Sequence, residues 1–375
     1  MVAFSTRSLK RIKTSCISGF LSAVIGPAHA ATETVLYSFT FADGAGPNAC
    51  LVKLHGTLYG TTSEGGPYGN NAGTVFSITK TGTEKLLFAN ADNPLGGLID
   101  VGGTLYGTSA GGSTGYGTVF KVTTAGARTV LYYFKGGSDG ANPQAGLLDV
   151  GGTLYGTTYW GGATDNGTVF SVTPSGAESV IYSFKGGSDG GNPSAGLISV
   201  GGTLYGTTYG NPAIGNGTVF SVTPSGTETV LYSFKGGSDG AGPRAGLLEF
   251  NGLLYGTTLG GGNGNGTVFN VTLAGTETVV HSFQGGSDGK DPQAALINVH
   301  GTLYGTTIYG GAYGAGTVFK VTKTGAVKVV YSFGSSGAND GYEPFASLIN
   351  LGGTLYGTTA GGGANSWGTV FAVTP

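Results

Sequence analysis

The sequence predicts an all-β protein, a seven-bladed β-propeller of four-stranded antiparallel blades, on three observations. One motif recurs at a regular spacing, each repeat divides into four strand-like runs, and the two chain ends carry complementary parts of one repeat. The motif is Gly-Thr-Leu-Tyr-Gly-Thr-Thr, as at Gly202–Thr208, and a fixed period near 50 residues is typical of repeat architectures. Its tyrosine occurs seven times, at steps of 47 to 52 residues: Tyr59, Tyr106, Tyr155, Tyr205, Tyr255, Tyr304 and Tyr356.

Each repeat contains four runs, which we name A to D. In the fourth repeat they are Gly196–Val200, Thr203–Thr208, Gly217–Thr223 and Thr227–Phe234. All four are rich in Val, Leu, Thr, Tyr and Phe and are bounded by Gly, Pro, Asn or Ser, which is the signal of short β-strands. We therefore expect one four-stranded blade in every repeat.

The connections alternate between short and long. Gly201-Gly202 joins A to B and Pro224-Ser225-Gly226 joins C to D, whereas the B–C and D–A connections are longer and more variable. In an antiparallel meander the two short turns lie at one end of the strands and the two long loops at the other. We expect function on the long-loop face, because loops on a rigid scaffold commonly carry binding residues.

The glycine that follows each motif tyrosine lies inside run B, where glycine weakens a strand. We expect it to mark a bulge or a close backbone approach between neighbouring sheets. The positions are Gly60, Gly107, Gly156, Gly206, Gly256, Gly305 and Gly357.

The chain ends predict how the ring closes. Thr32–Phe39 reads as a D run without its A, B and C, and Gly368–Thr374 reads as a C run with no D after it. Pairing the two completes the seventh blade and leaves no open sheet edge, as a propeller requires. The propeller is thus expected to span residues 31–375.

Residues 1–30 resemble a secretory signal peptide. Arg7 to Lys13 supply the positive region, Cys16 to Ile25 an apolar centre too short to span a bilayer, and Ala28-His29-Ala30 a cleavage site. Cleavage removes four of the 17 basic residues and leaves 13 against 19 acidic ones, a net charge of −6. We expect a secreted or periplasmic monomer with no membrane anchor and no nucleic-acid partner.

Composition also bears on folding. The chain contains 77 glycines and 13 prolines, a high proportion. Aromatic residues nevertheless reach 11%, which indicates a folded chain with tight turns rather than a disordered one. Cys50 is the one cysteine of the expected mature chain, so no intramolecular disulfide is predicted. Other repeats have glycine, alanine or serine in its place, so we interpret Cys50 as a small packing residue rather than a reactive thiol.

The repeat resembles two known patterns. Gly242-Pro243-Arg244-Ala245-Gly246-Leu247-Leu248 followed by Leu254-Tyr255 loosely resembles the start of a kelch motif. Leu-Tyr-Gly-Thr-Thr, Gly-Gly, Gly-Thr-Val-Phe and Leu-Tyr-Ser-Phe, in register over residues 32–375, resemble more closely the GloVer-type (Gloeo_Verruco) tandem repeats of secreted proteins. This resemblance implies export and carries no assigned activity. Many members have a C-terminal anchor, which the last run here does not resemble.

Aromatic residues in the B–C loops are the candidate ligand-binding residues. Aromatic rings exposed on one face can stack on sugar rings or anchor a protein partner. The alternative is that the loops fold back and bury these rings between the blades. The candidates are Tyr68, Tyr116, Tyr159, Trp160, Tyr209, Tyr309, Tyr313 and Trp367.

One aspartate per D–A loop forms a second candidate set. A calcium site needs several oxygen ligands in one loop, so we interpret these residues as turn caps rather than metal ligands. The positions are Asp43, Asp92, Asp139, Asp189, Asp239, Asp288 and Asp340.

No catalytic set is predicted. His55 and His300 fall in A–B hairpins and His281 replaces a strand tyrosine, so they do not converge on one metal. Glu64 and Asp165 belong to different blades, too far apart for a glycosidase pair. We predict no cofactor and no metal.

Three hypotheses of function follow. The first is an exported binding scaffold that holds a polysaccharide or a protein on its long-loop face. The second is an extracytoplasmic lyase or hydrolase acting at the channel mouth, and the third is a structural envelope protein.

Overall fold

The computed structural model describes residues 31–69, 71–210, 215–322, 324–335 and 337–375, without the side chain of residue 338. The predicted signal peptide, residues 1–30, lies outside the described residues. The strands of the described residues are, in chain order, β1 Thr32–Ser38, β2 Val52–Leu54, β3 Thr57–Thr62, β4 Thr74–Ile78, β5 Glu84–Ala89, β6 Ile99–Val101, β7 Thr104–Ser109, β8 Thr118–Val122, β9 Arg128–Tyr133, β10 Leu148–Val150, β11 Thr153–Thr158, β12 Thr168–Val172, β13 Glu178–Ser183, β14 Ile198–Val200, β15 Thr203–Thr208, β16 Thr218–Val222, β17 Glu228–Ser233, β18 Leu248–Phe250, β19 Leu253–Thr258, β20 Thr267–Thr272, β21 Glu277–Ser282, β22 Ile297–Val299, β23 Thr302–Thr307, β24 Thr317–Val321, β25 Val327–Ser332, β26 Gly341–Tyr342, β27 Ile349–Leu351, β28 Thr354–Thr359, β29 Gly361–Gly362 and β30 Thr369–Thr374.

All of these strands except β26 and β29 form seven four-stranded antiparallel sheets arranged as blades in a ring. Blades 1 to 6 take their A–D strands from β2–β5, β6–β9, β10–β13, β14–β17, β18–β21 and β22–β25, and blade 7 consists of β27, β28, β30 and β1. The A strands of neighbouring blades contact one another, which places them nearest the ring axis. The predicted seven-bladed propeller is confirmed.

The ring closes through the first strand, as the chain ends predict. Strand β1 pairs with β30 antiparallel, from Thr32 opposite Thr374 to Ser38 opposite Thr369. The amide of Phe39 extends the pairing by donating to the carbonyl of Gly368 at 3.0 Å. The C strand of blade 7 therefore has a D partner drawn from the other end of the described chain.

The motif glycine does not mark a bulge in strand B, contrary to the prediction. The register shift lies between strands C and D, where Val219 pairs with Tyr232 but Phe220 pairs with Val230. Gly206 pairs with Phe220, and an added Cβ would lie 2.7 Å from Cζ of that ring and 2.8 Å from Cδ2 of Leu197. Glycine is needed because a phenylalanine ring, and not a neighbouring backbone, lies over it.

The hydrophobic core is divided among the contacts between blades. In one representative cluster Tyr155 and Val169 of blade 3 pack with Leu204 and Phe220 of blade 4, and six similar clusters complete the ring. Because each C strand is covered on both faces by its neighbours, its apolar residues are not restricted to alternate positions. Burial of one such phenylalanine contributes roughly 1.5–3 kcal/mol.

A ring of threonine hydrogen bonds crosses the blade boundaries. Thr207 Oγ1 donates to the carbonyl of Ala245 in the next blade at 3.1 Å, and Thr358 of blade 7 donates to Ala49 of blade 1 at 3.3 Å. The same bond occurs at the other motif threonines: Thr61, Thr108, Thr157, Thr257 and Thr306. This explains why the threonine after the glycine recurs in every repeat.

The B–C and D–A loops lie together on one face, as the alternation of loop lengths predicts. Ala141 of a D–A loop pairs with Trp160 of a B–C loop in an isolated bridge, and the short strands β26 and β29 make the same contact in blade 7. Most of the D–A loops contain one turn of 3-10 helix: Gly137–Asp139, Gly187–Asp189, Gly237–Asp239, Gly286–Asp288 and Gly337–Asn339. Across the described residues, no helix has the length and apolarity needed to span a membrane.

Candidate functional site

The predicted aromatic residues lie on the long-loop face with rings largely open to solvent. The predicted alternative, in which they are buried between blades, does not hold for six of them. Tyr159 and Tyr209 are intermediate in exposure. The six exposed rings are Tyr68, Tyr116, Trp160, Tyr309, Tyr313 and Trp367.

Two of these rings border a cleft between blades 2 and 3. The cleft has a volume of about 410 Å³, and its lining includes Tyr116, which is 46% exposed, and Trp160, which is 44% exposed. Glycines shape the cleft: a Cβ on Gly136 would lie 2.8 Å from Cε1 of Tyr116, and one on Gly161 would collide with the backbone of Gly140. Any larger residue at these positions would displace a wall of the cleft.

Polar groups complete the lining. The amide of Gly161 donates to Asp165 Oδ1 at 2.7 Å, which holds that carboxylate at the cleft wall. Asn93 and Asn142 also line the cleft. The Oδ1 atom of Asn142 is shielded from solvent and accepts no hydrogen bond from the described residues.

A second aromatic group leads from the cleft towards the ring axis. The rings of Tyr159 and Trp160 are 4.7 Å apart in an edge-on arrangement, and Arg244 stacks on Tyr209 with Cζ 4.2 Å from the ring centroid. Burial raises the pKa of Tyr159, and the nearby charge of Arg244 opposes that shift. Blade 3 therefore contributes Tyr159 and Trp160 to a shared area, blade 4 contributes Tyr209 and blade 5 contributes Arg244.

The remaining predicted residues lie elsewhere on the face. Tyr68 belongs to blade 1, and Tyr309 and Tyr313 belong to blade 6. Trp367 of blade 7 packs edge-on against Phe41 at 4.9 Å. None of these four lines the cleft between blades 2 and 3.

Sequence reasoning missed Arg244, Asn142 and the residues of the channel mouth. Every D–A loop contains a proline, and the residue that follows it lines the mouth, for example Ser194 after Pro193 and Arg244 after Pro243. Comparing that one position across the repeats would have revealed a basic residue in a ring of otherwise uncharged ones. The complete set is Asn48, Leu95, Gln144, Ser194, Arg244, Gln293 and Phe345.

The loop aspartates cap their turns, which confirms the interpretation from sequence for most of them. Asp139 Oδ2 accepts the amide of Lys135 at 2.7 Å, and its Oδ1 accepts the Tyr132 hydroxyl at 2.6 Å. The same pair of bonds recurs around the ring, at Asp43, Asp189, Asp239 and, with different amides, at Asp340. Among the described residues no group of three His, Cys, Asp or Glu has the arrangement of a metal site.

A glutamate from the next blade faces most of these aspartates, which the sequence did not predict. Glu178, at the start of β13, has its pKa raised to about 7, first by burial and then by the charge of Asp139. Burial and then a loop aspartate raise the pKa to about 7 at four further positions: Glu33, Glu84, Glu228 and Glu277.

Two sites depart from this pattern. Arg128 takes the place of the glutamate in blade 2 and forms a salt bridge with Asp92 at 2.9 Å. Asp92 therefore pairs with a side chain and not with a loop amide. In the other departure His281 replaces the tyrosine, and its Nε2 lies 3.3 Å from Asp288.

Cys50, interpreted from the sequence as a small packing residue, lines the central channel. Its Sγ lies against Gly97, so closely that a Cβ there would collide with it, and the ring of small residues continues through Gly146 and Gly196. Burial raises the pKa of the Cys50 thiol. Small residues are needed here because seven segments of the chain, one from each blade, converge on a narrow axis.

Several solved structures resemble the chain at low sequence identity. One is a gluconolactonase from Xanthomonas campestris, at 12% identity over 76% of this chain and 92% of the other, with a TM-score of 0.41. A proposed 6-phosphogluconolactonase from Bacteroides uniformis is 16% identical over 76% of this chain and 83% of the other, with a TM-score of 0.48. An acylaminoacyl peptidase from Pyrococcus horikoshii is 9% identical over 86% of this chain and 51% of the other, with a TM-score of 0.48. Similarities this low carry no information about activity.

The family comparison is specific to the repeat. No curated protein matches the chain. Residues 88–263 and 259–375 match the model of the Gloeobacter/Verrucomicrobia repeat, which therefore covers most of the propeller, including the motif tyrosines of blades 2 to 7. The chain belongs to the Gloeobacter/Verrucomicrobia repeat family.

Proposed function

We propose that this protein is an exported binding scaffold that holds a polysaccharide on its long-loop face. The observation that carries the proposal is the cleft between blades 2 and 3, where Tyr116 and Trp160 stand half-exposed beside polar groups. Aromatic rings offer flat apolar surfaces for the faces of sugar rings, and a few fixed polar groups select the orientation of the ligand. The Asp165 carboxylate, held at the cleft wall by the Gly161 amide, supplies one such group.

The glycines around the cleft support a preformed site. Tyr116 packs on Gly136, and Gly161 fits against the D–A loop where no larger residue would. A site whose walls are held in place before binding loses little conformational entropy when the ligand arrives. This favours recognition of a polymer by a rigid surface over a reaction that needs closure of a lid.

The test is a glycan array together with a panel of soluble polysaccharides, using the full chain. Trp160→Ala should weaken binding by about tenfold or more, because truncating a central aromatic anchor typically costs about 2 kcal/mol. Tyr68→Ala is the matched control: Tyr68 is 74% exposed on the same face but lies outside the cleft, so binding should change less than about twofold.

The same panel decides among the three functions. Release of shorter sugars would establish a lyase or hydrolase in place of a binding protein. No binding on the array and neither binding nor turnover in the panel would favour the structural envelope role. Export is tested separately: the protein recovered from outside the cytoplasm should begin at Ala31 and elute as a monomer.

A further inference from the structure

The channel mouth is a second, chemically distinct site on the long-loop face. It encloses a space of about 250 Å³, lined by one residue from each blade. Arg244 is the one ionisable residue of the seven, and its side chain is exposed. The Asn48 Oδ1 and Ser194 Oγ atoms in the same lining are shielded and have no hydrogen-bond partner among the described residues. The mouth therefore presents one exposed cation, while these two polar atoms are turned away from solvent.

The charge of Arg244 is not neutralised by the protein. In the described part of the chain it forms no salt bridge, whereas Arg128, on the outer side of blade 2, is paired with Asp92 at 2.9 Å. Arg128 has a structural role, because its salt bridge with Asp92 joins blade 2 to the loop that follows blade 1. Arg244 also contacts a neighbouring blade, at the Tyr209 ring, but that contact leaves its charge unpaired among the described residues.

Tyr209 holds the guanidinium in place. The Cζ of Arg244 lies 4.2 Å from the centroid of the Tyr209 ring, and Gly242 leaves room for that ring, since a Cβ there would lie 2.9 Å from Cε2. A stacked guanidinium loses part of its rotamer freedom in advance and keeps its N–H edge free for a planar anion. This is the geometry that favours two parallel hydrogen bonds to a carboxylate.

We propose that the channel mouth binds the carboxylate of a uronic-acid residue, so that the polysaccharide held by the long-loop face is an acidic one. This inference rests on the proposed function and specifies its substrate class. Arg244 binds the carboxylate, and Tyr209 holds the guanidinium in position for it. Tyr159 connects the site to Trp160 and the cleft, so one chain of sugars can occupy both.

The overall charge makes this assignment selective. With residues 1–30 removed, the chain carries 17 minus 4 basic and 19 acidic residues, a net charge of −6. Such a surface repels a polyanion on average, and repulsion between exposed charges is weakened by salt. Binding of an acidic glycan therefore has to come from a local cation and not from a general basic patch.

The experiment is calorimetric titration of the full chain with tetragalacturonate and with cellotetraose, a neutral sugar of equal length. We expect Arg244→Gln to weaken binding of tetragalacturonate by at least about tenfold, because a charge-assisted hydrogen bond is lost, and to leave cellotetraose unchanged. Arg244→Lys, which keeps the charge without the fork, should fall between the two.

Lys235→Gln is the matched control. Lys235 is also an exposed cation over a tyrosine, with Nζ 5.6 Å from the Tyr232 centroid, but it does not line the mouth. Its loss should change the affinity for tetragalacturonate less than about twofold, because one exposed charge outside the site contributes little. An equal effect of both variants would mean general electrostatics and would overturn the assignment.

The remaining outcomes separate the inference from the proposed function. If both sugars bind and Arg244→Gln alters neither, the uronate site is wrong and the binding function stands. If neither sugar binds and the glycan array is silent, the binding function itself fails and takes the inference with it. If a sulfated galactan oligosaccharide binds through Arg244 and tetragalacturonate does not, a sulfate ester replaces the carboxylate and the proposal is overturned.

Discussion

Replacing Phe39 by alanine tests whether the closing strand holds blade 7 as tightly as a strand joined within its own blade. Phe39 is fully buried and its ring centroid lies 4.9 Å from that of Phe76. Phe184 is its counterpart between blades 3 and 4, also fully buried and 5.0 Å from Phe220. Because the two environments match, each alanine substitution should lower the free energy of unfolding by about 3–5 kcal/mol.

The expected change in melting temperature follows from the size of the propeller. Residues Ala31–Pro375 form one compact unit. At roughly 2 cal/mol/K per residue, its entropy of unfolding is about 0.7 kcal/mol/K, so a loss of about 4 kcal/mol lowers the melting temperature by about 6 °C. Calorimetry of Phe39→Ala and Phe184→Ala in the same buffer should give shifts that agree within about 2 °C.

A truncation supplies the stronger form of the test. Removing residues 31–39 leaves β30 as an open sheet edge, which should promote association as well as lower the melting temperature. Placing the same segment after Pro375 should restore a stable monomer, because the strand would then complete its blade from within the chain. A Phe39→Ala cost below about 1 kcal/mol beside a full cost for Phe184→Ala would refute tight closure. So would a truncated protein that stays monomeric and equally stable.

Three further changes probe the interior. The folded-state pKa of Glu178, about 7, exceeds its ordinary value of 4.5, so its stabilisation is complete below about pH 4.5 and is lost as the pH rises through 7. Denaturant titrations should therefore show stability falling from pH 5 to 8. The free energy of unfolding of Glu178→Gln should fall less steeply with pH, and at pH 8 it should exceed that of the wild type by up to about 1 kcal/mol, given solvent screening. Parallel pH curves for the two proteins would contradict this. Gly206→Ala should lower the free energy of unfolding by about 1–3 kcal/mol, because the added methyl group meets the facing phenylalanine ring. Gly246→Ala is the control: a Cβ there meets nothing nearer than 3.5 Å, so urea denaturation should show no change in stability. Cys50→Ala should leave stability nearly unchanged and Cys50→Leu should cost roughly 1–3 kcal/mol, and tolerance of leucine would show that the channel wall has spare room.

The architecture could be predicted from the sequence because its signals are local and repeated. The strand that contains Tyr205 was expected at Thr203–Thr208 and has those bounds. A turn residue and a strand period are read within a few positions, and seven copies of each remove the ambiguity of any one. The incomplete repeat at each chain end is read just as locally. Strand A was expected to begin at Gly196 but begins at Ile198, because Gly196 leaves the ladder to line the channel.

The candidate site depended on contacts between repeats, which the sequence does not encode in a readable order. Alternation along a strand tells which face a side chain occupies, but not which ring of the next blade it meets. Tertiary structure therefore decided that Tyr116 and Trp160 share a cleft while Tyr68 stands apart. It also decided that the motif glycine lies under a phenylalanine ring and that Arg244 points into the channel mouth. The physical reason is that twist and blade packing bring together residues that are distant in the sequence, such as Tyr116 and Trp160, and their distances are set by the whole ring.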